Sequence, residues 1–514
     1  MSDRQGRSAQ AARLQARLAS AKHGDILAIR HDNAGFLDWA ALEKLRDDMP
    51  MLSASHRLSR RQKAVCLVLV LLITALLAVA PFRTLTVING LFVLYCCAGL
   101  ALRGWMLLSN LRPQARAAAP AQVHDWPVVT ILIPLYKEAA TLPHLVDALL
   151  GLDYPQDRLD IKILLEEDDT ETRALAERIC RAPCFDLVHV PDNLPRTKPK
   201  ACNYGLWTAL GEITVIYDAE DRPEADQLKK AVIAFRAGED RLACVQARLN
   251  YYNRRKNWLT QLFSMEYALL FDIVLPSLAR VGAPIPLGGT SNFFRTRILQ
   301  DIGGWDPYNV TEDADLGLRL AAVGYSVGVI NSTTYEEAVS HAGQWVRQRS
   351  RWLKGYFQTW LVHTRRNPYF AKPPLFSRAG FTRFITLHLV MGGVLVSAVV
   401  NPIFWLLYIL WLSGHGDWLA NIYPSPLLEI SVFTLLGGNA FMAYLTIVAP
   451  LRRRWYDHCV YVVLMPVYWL MLSVAGYKAL WQLIVKPFYW EKTMHGAPDA
   501  EGNDTVTSLV ADKS

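Results

Sequence analysis

Three short segments hold the side chains best suited to chemistry. In Gln348-Arg349-Ser350-Arg351-Trp352, Gln348, Arg351 and Trp352 fall at i, i+3 and i+4, so on a helix an amide, a fixed cation and an indole share one face. A guanidinium takes phosphate oxygens in a bidentate fork, and an indole stacks on the apolar side of a pyranose. The face therefore suits a phosphate beside a sugar ring. An interfacial helix with Trp and Arg among lipid headgroups would present the same face. Upstream, Asp218-Ala219-Glu220 is spaced to bring two carboxylates to one hard divalent cation, Mg2+ or Mn2+, which keeps waters and bridges diphosphate oxygens. Asp221 is an alternative second ligand. Arg196, Lys198 and Lys200 lie just before it and suit phosphate neutralisation, although a solvated basic run would look the same.

These segments need a scaffold, and the chain supplies an α/β pattern. From Val128 to about Ala338 short β-branched runs alternate with helical stretches, which predicts a mostly parallel sheet with helices on both faces. Strands are expected at 128–134, 161–165, 187–190 and 212–217, with helices at 140–150, from Glu171 and from Lys200. Ligands bind at the carboxyl ends of such strands. Those ends read Leu135-Tyr136-Lys137-Glu138, Glu166-Glu167-Asp168-Asp169 and Asp218-Ala219-Glu220-Asp221. Helix capping explains acids at any one of these places; acids at three strand ends point to a nucleotide with a bound metal.

The 514 residues are 52% hydrophobic with a formal net charge of +8 and a mean hydropathy of +0.14, so a soluble domain does not account for the whole chain. Apolar stretches at 64–80, 84–102, 384–412 and 426–449 are each long enough to cross a bilayer of about 30 Å as a helix, and a last one runs from His458 to Val485. Arg57, Arg60, Arg61, Lys63, Arg112, Arg116 and the run Arg452-Arg453-Arg454 flank the spans, whereas 413–425 contains no Lys or Arg. The positive-inside rule then places the middle domain in the cytoplasm. A fifth full span would put the tail outside, against Lys486 and Lys492, so the last stretch is expected to bend at Pro466 and return. The first thirty residues contain no apolar core of a signal peptide and read as a charged helix or a loose arm. Trp39 to Leu52 reads as a short amphipathic element of unassigned role. The eight scattered cysteines show no paired zinc spacing.

Together these motifs resemble the membrane-embedded, processive family-2 glycosyltransferases, the group of cellulose, mannan, chitin and hyaluronan synthases, and the phage-adsorption-protein-B-like transferases. The resemblance is strongest from Val128 to His363. It implies a GT-A type domain joined to an α-helical transmembrane region. Pro134, Tyr136 and Glu138 match the first nucleotide-contacting loop. Glu166 and Asp168 match the base- and ribose-binding carboxylates, in more than one register. Lys200 and Asn203 match a Lys-Ala-x-Asn nucleotide segment, with Pro199 where a His often stands. Asp218 and Glu220 match the metal motif, Gly289 and Thr290 the acceptor-site stretch. Thr311-Glu312-Asp313 is similar to the family's Thr-Glu-Asp, whose last residue is the general base, and Gln348, Arg351 and Trp352 complete its Gln-x-x-Arg-Trp motif. Lys486 to Gly496 is loosely similar to a gating loop; an interfacial belt is the other reading.

The resemblance implies an inverting enzyme that polymerises a β-linked polysaccharide from a UDP- or GDP-sugar onto a growing glycan and exports it across the inner membrane. The alternatives are transfer of one sugar to a lipid phosphate carrier, and a non-catalytic receptor or scaffold. The expected organisation is an N-terminal cytoplasmic segment (1–62), a transmembrane hairpin (63–103), a cytoplasmic catalytic domain with interfacial helices (120–365), transmembrane or re-entrant helices (366–485) and a tail (486–514). Membrane lipid and accessory export or regulatory proteins are the further partners expected; nucleic acid is not. Trp405, Tyr408, Trp411 and Trp469 are candidates to line a sugar channel, or plain interface anchors.

Overall fold

The computed structural model describes residues 2–20, 25–111, 125–192, 194–365, 377–487 and 489. Its strands are β1 (Val129–Leu135), β2 (Leu159–Glu166), β3 (Phe185–Val190), β4 (Ile213–Ile216), β5 (Arg222–Pro223), β6 (Leu242–Tyr251), β7 (Asn292–Arg295) and β8 (Ser326–Glu336). They form one sheet in the order β3-β2-β1-β4-β7-β6-β8-β5. Burial of both faces explains the near-continuous apolar runs of β1 and β2: Ile131 and Ile133 enter the core on one side and Leu132 the core on the other.

The first four strands are parallel to their neighbours. The chain builds outward from β1 to β3 and then returns to place β4 on the other side of β1, so a crevice opens where the order reverses. The other half is mixed: β6 and β8 run parallel. β7 is antiparallel to both β4 and β6, and β5 is antiparallel to β8. The segment after β6 re-enters β7 at the same end of the sheet, so it needs no crossover. One consequence is functional: residues 288–291, which lead into β7, stand at the edge where β1 and β4 end.

Six helices among the described residues are long and apolar enough to cross a membrane: Arg60–Val79, Pro81–Asn110, Trp258–Arg280, Arg378–Leu412, Leu427–Arg452 and Tyr456–Val485. Ser59 begins the first through a capping box with Gln62. Trp258–Arg280 was not foreseen as an apolar helix. Its apolar window is 61% buried inside the protein, against 0% for Arg60–Val79, so its apolar surface is largely used in packing within the protein.

The last stretch corrects the expectation of a bend at Pro466. Tyr456–Val485 is one continuous helix, 3-10 up to Leu464 and α from Met465. Pro466 sits in the first α turn, where its missing N–H breaks no bond. The helix is tied at both ends. Asp457 pairs with Arg255 at 2.8 Å, whereas at the far end Arg57 donates to the Ile484 carbonyl at 2.9 Å, Gln358 to the Pro487 carbonyl at 3.0 Å and Lys354 to the Tyr489 carbonyl at 2.6 Å. Phe488 and residues 490–514 lie outside the described residues, so the gating-loop assignment does too, as do Arg112 and Arg116.

The N-terminal segment is not a loose arm over its described length. Leu14, Phe36, Leu37, Ala40 and Ala41 belong to the same buried core as Leu132, Trp207 and Phe294, and Phe36 meets Trp207 edge-on at 5.2 Å. Arg30 reaches Asp186 of β3 at 2.6 Å, and the fully buried Lys162 of β2 shares that carboxylate at 2.8 Å. The element at Trp39 to Leu52 thus gains a role: it backs the helix Lys198–Leu206.

Candidate active site

The crevice at the reversal point opens into a cavity of about 630 Å3 that continues between the apolar helices. Each wall follows from local sequence. At the β1 end, Asp169 caps the helix Thr170–Ile179, accepting from the Thr172 N–H at 3.2 Å, and its other oxygen accepts from the Lys137 N–H at 2.5 Å. That bond holds Lys137 in the left-handed region, φ 57°, and turns the loop so that Pro134, Tyr136 and Glu138 line the cavity. Within the acidic cluster the four residues take different posts. Glu166 lines the cavity and accepts from Lys200 at 2.9 Å. Asp168 accepts from the Tyr136 hydroxyl at 3.2 Å and from Arg196 at 3.3 Å at the rim. Glu167 accepts from the Asp192 N–H, and Asp169 is the cap.

Beyond β4, Asp218 and Glu220 line the cavity and Asp221 does not. Asp221 turns inward, accepting from the Asp218 N–H at 2.7 Å and from the Thr290 hydroxyl. Burial and the neighbouring Asp218 and Glu220 carboxylates push its carboxyl well above the ordinary range, so that it holds its proton more tightly. It braces the turn that carries Asp218 and Glu220. Lys198 bridges the strand ends, pairing with Asp218 at 2.6 Å and donating to the Gly289 carbonyl at 2.8 Å. Burial alone would depress the lysine, but Asp218, Asp313 and Glu312 hold it well above the usual ammonium range.

Thr311 precedes the helix Glu312–Ala322, with Glu312 and Asp313 in its first turn, so the helix-start reading and the catalytic reading of these acids coexist. Thr311, Glu312 and Asp313 all line the cavity. Asp313 Oδ1 accepts from the Trp305 indole N–H at 3.0 Å, which leaves Oδ2 directed at Gly289. A Cβ at Gly289 would stand 4.0 Å from that oxygen, so the missing side chain leaves room for an acceptor group. Burial, Glu312 and Asp218 push the Asp313 carboxyl well above its ordinary range, while Lys198 opposes them.

The motif helix, Ala342–His363, packs hard on Thr311. A Cβ at Gly355 would come within 2.4 Å of a Thr311 methyl. Gln348, Arg351 and Trp352 line the cavity from this helix, and the buried Gln348 Oε1 has no hydrogen-bond partner among the described residues, an acceptor left for a ligand donor. Arg349, which the motif spacing passes over, is a supporting residue. It lies 4.8 Å over the Trp352 ring and 4.4 Å over Phe263, and its fork binds Glu266 at 3.0 and 2.5 Å. Tyr468 of the last helix also donates to Glu266.

Of the residues singled out from sequence, the structure brings Pro134, Tyr136, Glu138, Glu166, Asp218, Glu220, Gly289, Thr311, Glu312, Asp313, Gln348, Arg351 and Trp352 to one cavity. It does not bring Asp168, Lys200, Asn203 or Thr290 to the wall. Lys200 supports Glu166 from behind. Asn203 is a structural clamp, donating to the Ala41 and Trp305 carbonyls and accepting from the Trp305 N–H. Thr290 bonds Asp221 and the Ile216 carbonyl. Sequence reasoning missed Glu336 and Glu337, which line the cavity at the end of β8. The signal was available, since they follow a β-branched run as the other acids do. Burial and the Asp221, Asp218 and Glu220 charges push Glu336 well up.

No group of three or more His, Cys, Asp or Glu among the described residues is placed to hold a metal. Asp218 and Glu220 nevertheless fit a hard cation that takes its other oxygens from a diphosphate and water.

The sequence profile of the glycosyl transferase family group 2 matches residues 213–495. The chain is 27% identical over 243 residues to the probable glycosyltransferase YdaM of Bacillus subtilis, covering 45% of this chain and 56% of that protein. It is 28% identical over 248 residues to the β-monoglucosyldiacylglycerol synthase of Synechocystis, covering 48% and 51%, and 27% identical over 238 residues to the probable glucomannan 4-β-mannosyltransferase 10 of Arabidopsis thaliana, covering 45% and 43%. The chain spans about half the length of the curated relatives it matches. Among solved structures, the mannosyltransferase PcManGT of Pyrobaculum calidifontis, in complex with GDP-mannose and Mn2+, superposes with a TM-score of 0.50 at 19% identity, covering 77% of this chain and 99% of that one. That likeness is one of fold: a mixed sheet with helices on both sides. With the profile covering more than half of its length, the chain belongs to the glycosyl transferase family group 2.

Proposed function

We propose that the protein is a membrane-embedded, inverting hexosyltransferase that moves a sugar from a nucleotide diphosphate to a hydroxyl acceptor and builds a β-linked polysaccharide that it exports. The observation that carries the reading is the placement of Asp313 Oδ2, facing the gap at Gly289 in the cavity that Asp218, Lys198 and Arg351 also line. In the reaction Asp313 takes the proton of the acceptor hydroxyl as that oxygen bonds to the anomeric carbon. The bond to the diphosphate breaks on the opposite face, so an α-linked donor gives a β-linked product. Lys198 and Arg351 hold the negative charge that gathers on the departing diphosphate. Pro134, Tyr136, Glu138 and Glu166 orient the nucleotide, and Trp352 stacks on the acceptor sugar. A divalent cation on Asp218 and Glu220, when bound, neutralises and orients the diphosphate. The catalytic domain faces the cytoplasm, by the distribution of basic residues around the spans.

A second reading, transfer of a single sugar to a lipid, draws support from the aliphatic lining of the cavity between the membrane helices. The test is label incorporation by purified protein in nanodiscs, offering UDP-glucose, GDP-mannose and UDP-N-acetylglucosamine separately with Mg2+ or Mn2+. High-molecular-weight product from one donor, lost in Asp313→Asn, supports the polymerase. A short lipid-soluble product supports the second reading, and a phenotype that survives Asp313→Asn would leave a non-catalytic scaffold.

A further inference from the structure

A second cluster of charge lies outside the catalytic cavity, where the loop after β6 meets the basic run Arg452-Arg453-Arg454. Arg248 and Arg453 share Asp272, at 3.5 Å and 2.7 Å. Asp457 is taken by Arg255 at 2.8 Å and by His458 at 3.1 Å. Trp455 joins these groups, with the Arg254 guanidinium 4.5 Å from its ring centre and that of Arg453 at 4.9 Å. Four guanidinium groups thus meet two carboxylates. Glu224 also acts on Arg248 and Arg453, but it is engaged by Lys230 and Ser332, each at 3.2 Å.

Arg254 is the cation left over. It is only 4% exposed, yet its side chain makes no hydrogen bond and no ion pair with any described residue. Its Nε and that of Arg248 are both sealed from solvent without a hydrogen-bond partner among the described residues. Burial first, and then Arg255, hold the Arg254 guanidinium below its usual range, while Tyr335 and Asp457 oppose them. A buried charge without a counter-charge is costly, and stacking on the Trp455 ring offsets part of that cost. A multiply charged group that only accepts hydrogen bonds would offset the rest, and phosphate matches the guanidinium fork. The cluster stands where the apolar helix Leu427–Arg452 ends and Tyr456–Val485 begins, the level of lipid headgroups.

We infer that Arg254, with Arg248 and Arg453, forms a binding site for a phosphate group, separate from the catalytic cavity and carried by a lipid headgroup or by a soluble phosphate. The site does not depend on the transfer chemistry, but it is wired to the catalytic body. The loop that bears Arg254 is clipped to the segment leading into the motif helix. The Tyr252 N–H donates to the Glu336 carbonyl at 3.1 Å, Asn253 exchanges two bonds with the Ala338 backbone at 2.9 and 2.8 Å, and Asn257 donates to the Ser340 carbonyl at 2.7 Å. A bound phosphate therefore neutralises the surplus cations and steadies the connection between Glu336 and the motif helix without touching substrate.

The test uses the full chain in maltoside micelles, washed until the preparation contains no phosphorus. Sodium phosphate is compared with sodium chloride at equal ionic strength, and micelles doped with phosphatidic acid are compared with micelles doped with diacylglycerol. Amide hydrogen exchange is read in peptides covering 252–257 and 453–458. A phosphate source should slow exchange in both peptides by about tenfold, the scale of one charge-assisted contact. Slowing by phosphatidic acid alone assigns the site to a lipid headgroup, and slowing by sodium phosphate assigns it to a soluble phosphate. Arg254→Met should abolish the slowing, and because it removes an uncompensated buried charge it should melt no lower than the parent in sodium chloride. Arg254→Lys, which keeps the charge and loses the fork, should retain part of the slowing. No slowing of the parent by either source overturns the inference without recourse to any variant. Slowing that persists in Arg254→Met overturns it too, since the phosphate is then bound elsewhere. Arg254→Met melting below the parent by the same margin with and without phosphate would reduce Arg254 to a stacking partner of Trp455 and end the proposal.

Discussion

Lys198 touches Asp218 at 2.6 Å and is the cation that opposes the upward push of burial and Glu312 on the Asp313 carboxyl. A general base must be ionised to accept a proton, so kcat/KM should rise with pH through the raised Asp313 value and level off above it. Lys198→Met removes the opposing cation. The rising limb should then move to higher pH, and the plateau should drop by roughly a hundredfold because a leaving-group charge is lost with it. A limb that stays at the ordinary carboxylate range in the parent enzyme would show that Asp313 is not the base. The same shift has a sign for stability. A carboxyl whose folded value is raised weakens the fold as pH climbs from its unfolded value through its folded one, since the chain must ionise it in a place that disfavours charge. Asp313→Asn removes that cost and keeps an oxygen for the Trp305 N–H. It should therefore melt higher than the parent at neutral pH while losing transfer, a pairing that calorimetry and a radiolabel assay on the same preparation would read.

At the scale of elements, the first half of the sheet was legible because β1, β2 and β4 are parallel, buried along nearly their whole length and followed by acids, so periodicity and chemistry agree in the same places. The second half was not. β7 is four residues long and antiparallel, and its pairing is set by contacts that local sequence does not encode. Glu336 was hidden for the related reason that the strand before it was not recognised. Arg349 was hidden by the motif itself: spacing picks out Gln348, Arg351 and Trp352, whereas Arg349 matters through Glu266 and Tyr468, which come from other helices. Pro466 misled because a proline within an apolar run breaks a helix only when turns precede it. The continuous helix Tyr456–Val485 instead contacts, at both of its ends, elements that flank the catalytic body: Arg255 at the first, Arg57 and the motif helix at the second. We propose that a helix tethered this way lies along the motif helix with both ends on one side of the bilayer. A reporter fused after Ser514 should accordingly be accessible from the same side as one fused before Met1. Accessibility from opposite sides would make this helix a full span.

At the scale of the whole molecule, the segment before the membrane hairpin packs as part of the catalytic body, although the stretch from Arg60 to Val128, with its two apolar helices, separates it from β1 in chain order. The hydrophobic core that holds β1, β2 and the helix Lys198–Leu206 is completed by Phe36, Leu37, Ala40 and Ala41, and Asn203 ties the Ala41 carbonyl to Trp305, whose indole holds Asp313. One chain of contacts thus runs from the N-terminal helices to the proposed base. Composition could not reveal this, because the surface that the apolar positions of that segment match lies far away in sequence. Phe36→Ala removes a ring that is 4% exposed, a change that costs about 3–5 kcal/mol in a buried site, and its loss should loosen the Trp207 face behind Lys198. A chain beginning at Ser59 keeps both hairpin helices and every cavity residue. If the segment were an independent arm, that chain would bind nucleotide sugar as well as the parent does. The shared core predicts instead that it exposes the Trp207 face, aggregates on extraction and binds no donor, and that supplying residues 1–58 as a separate peptide restores part of the binding. Donor titration of the truncated chain with and without that peptide checks both halves of the prediction.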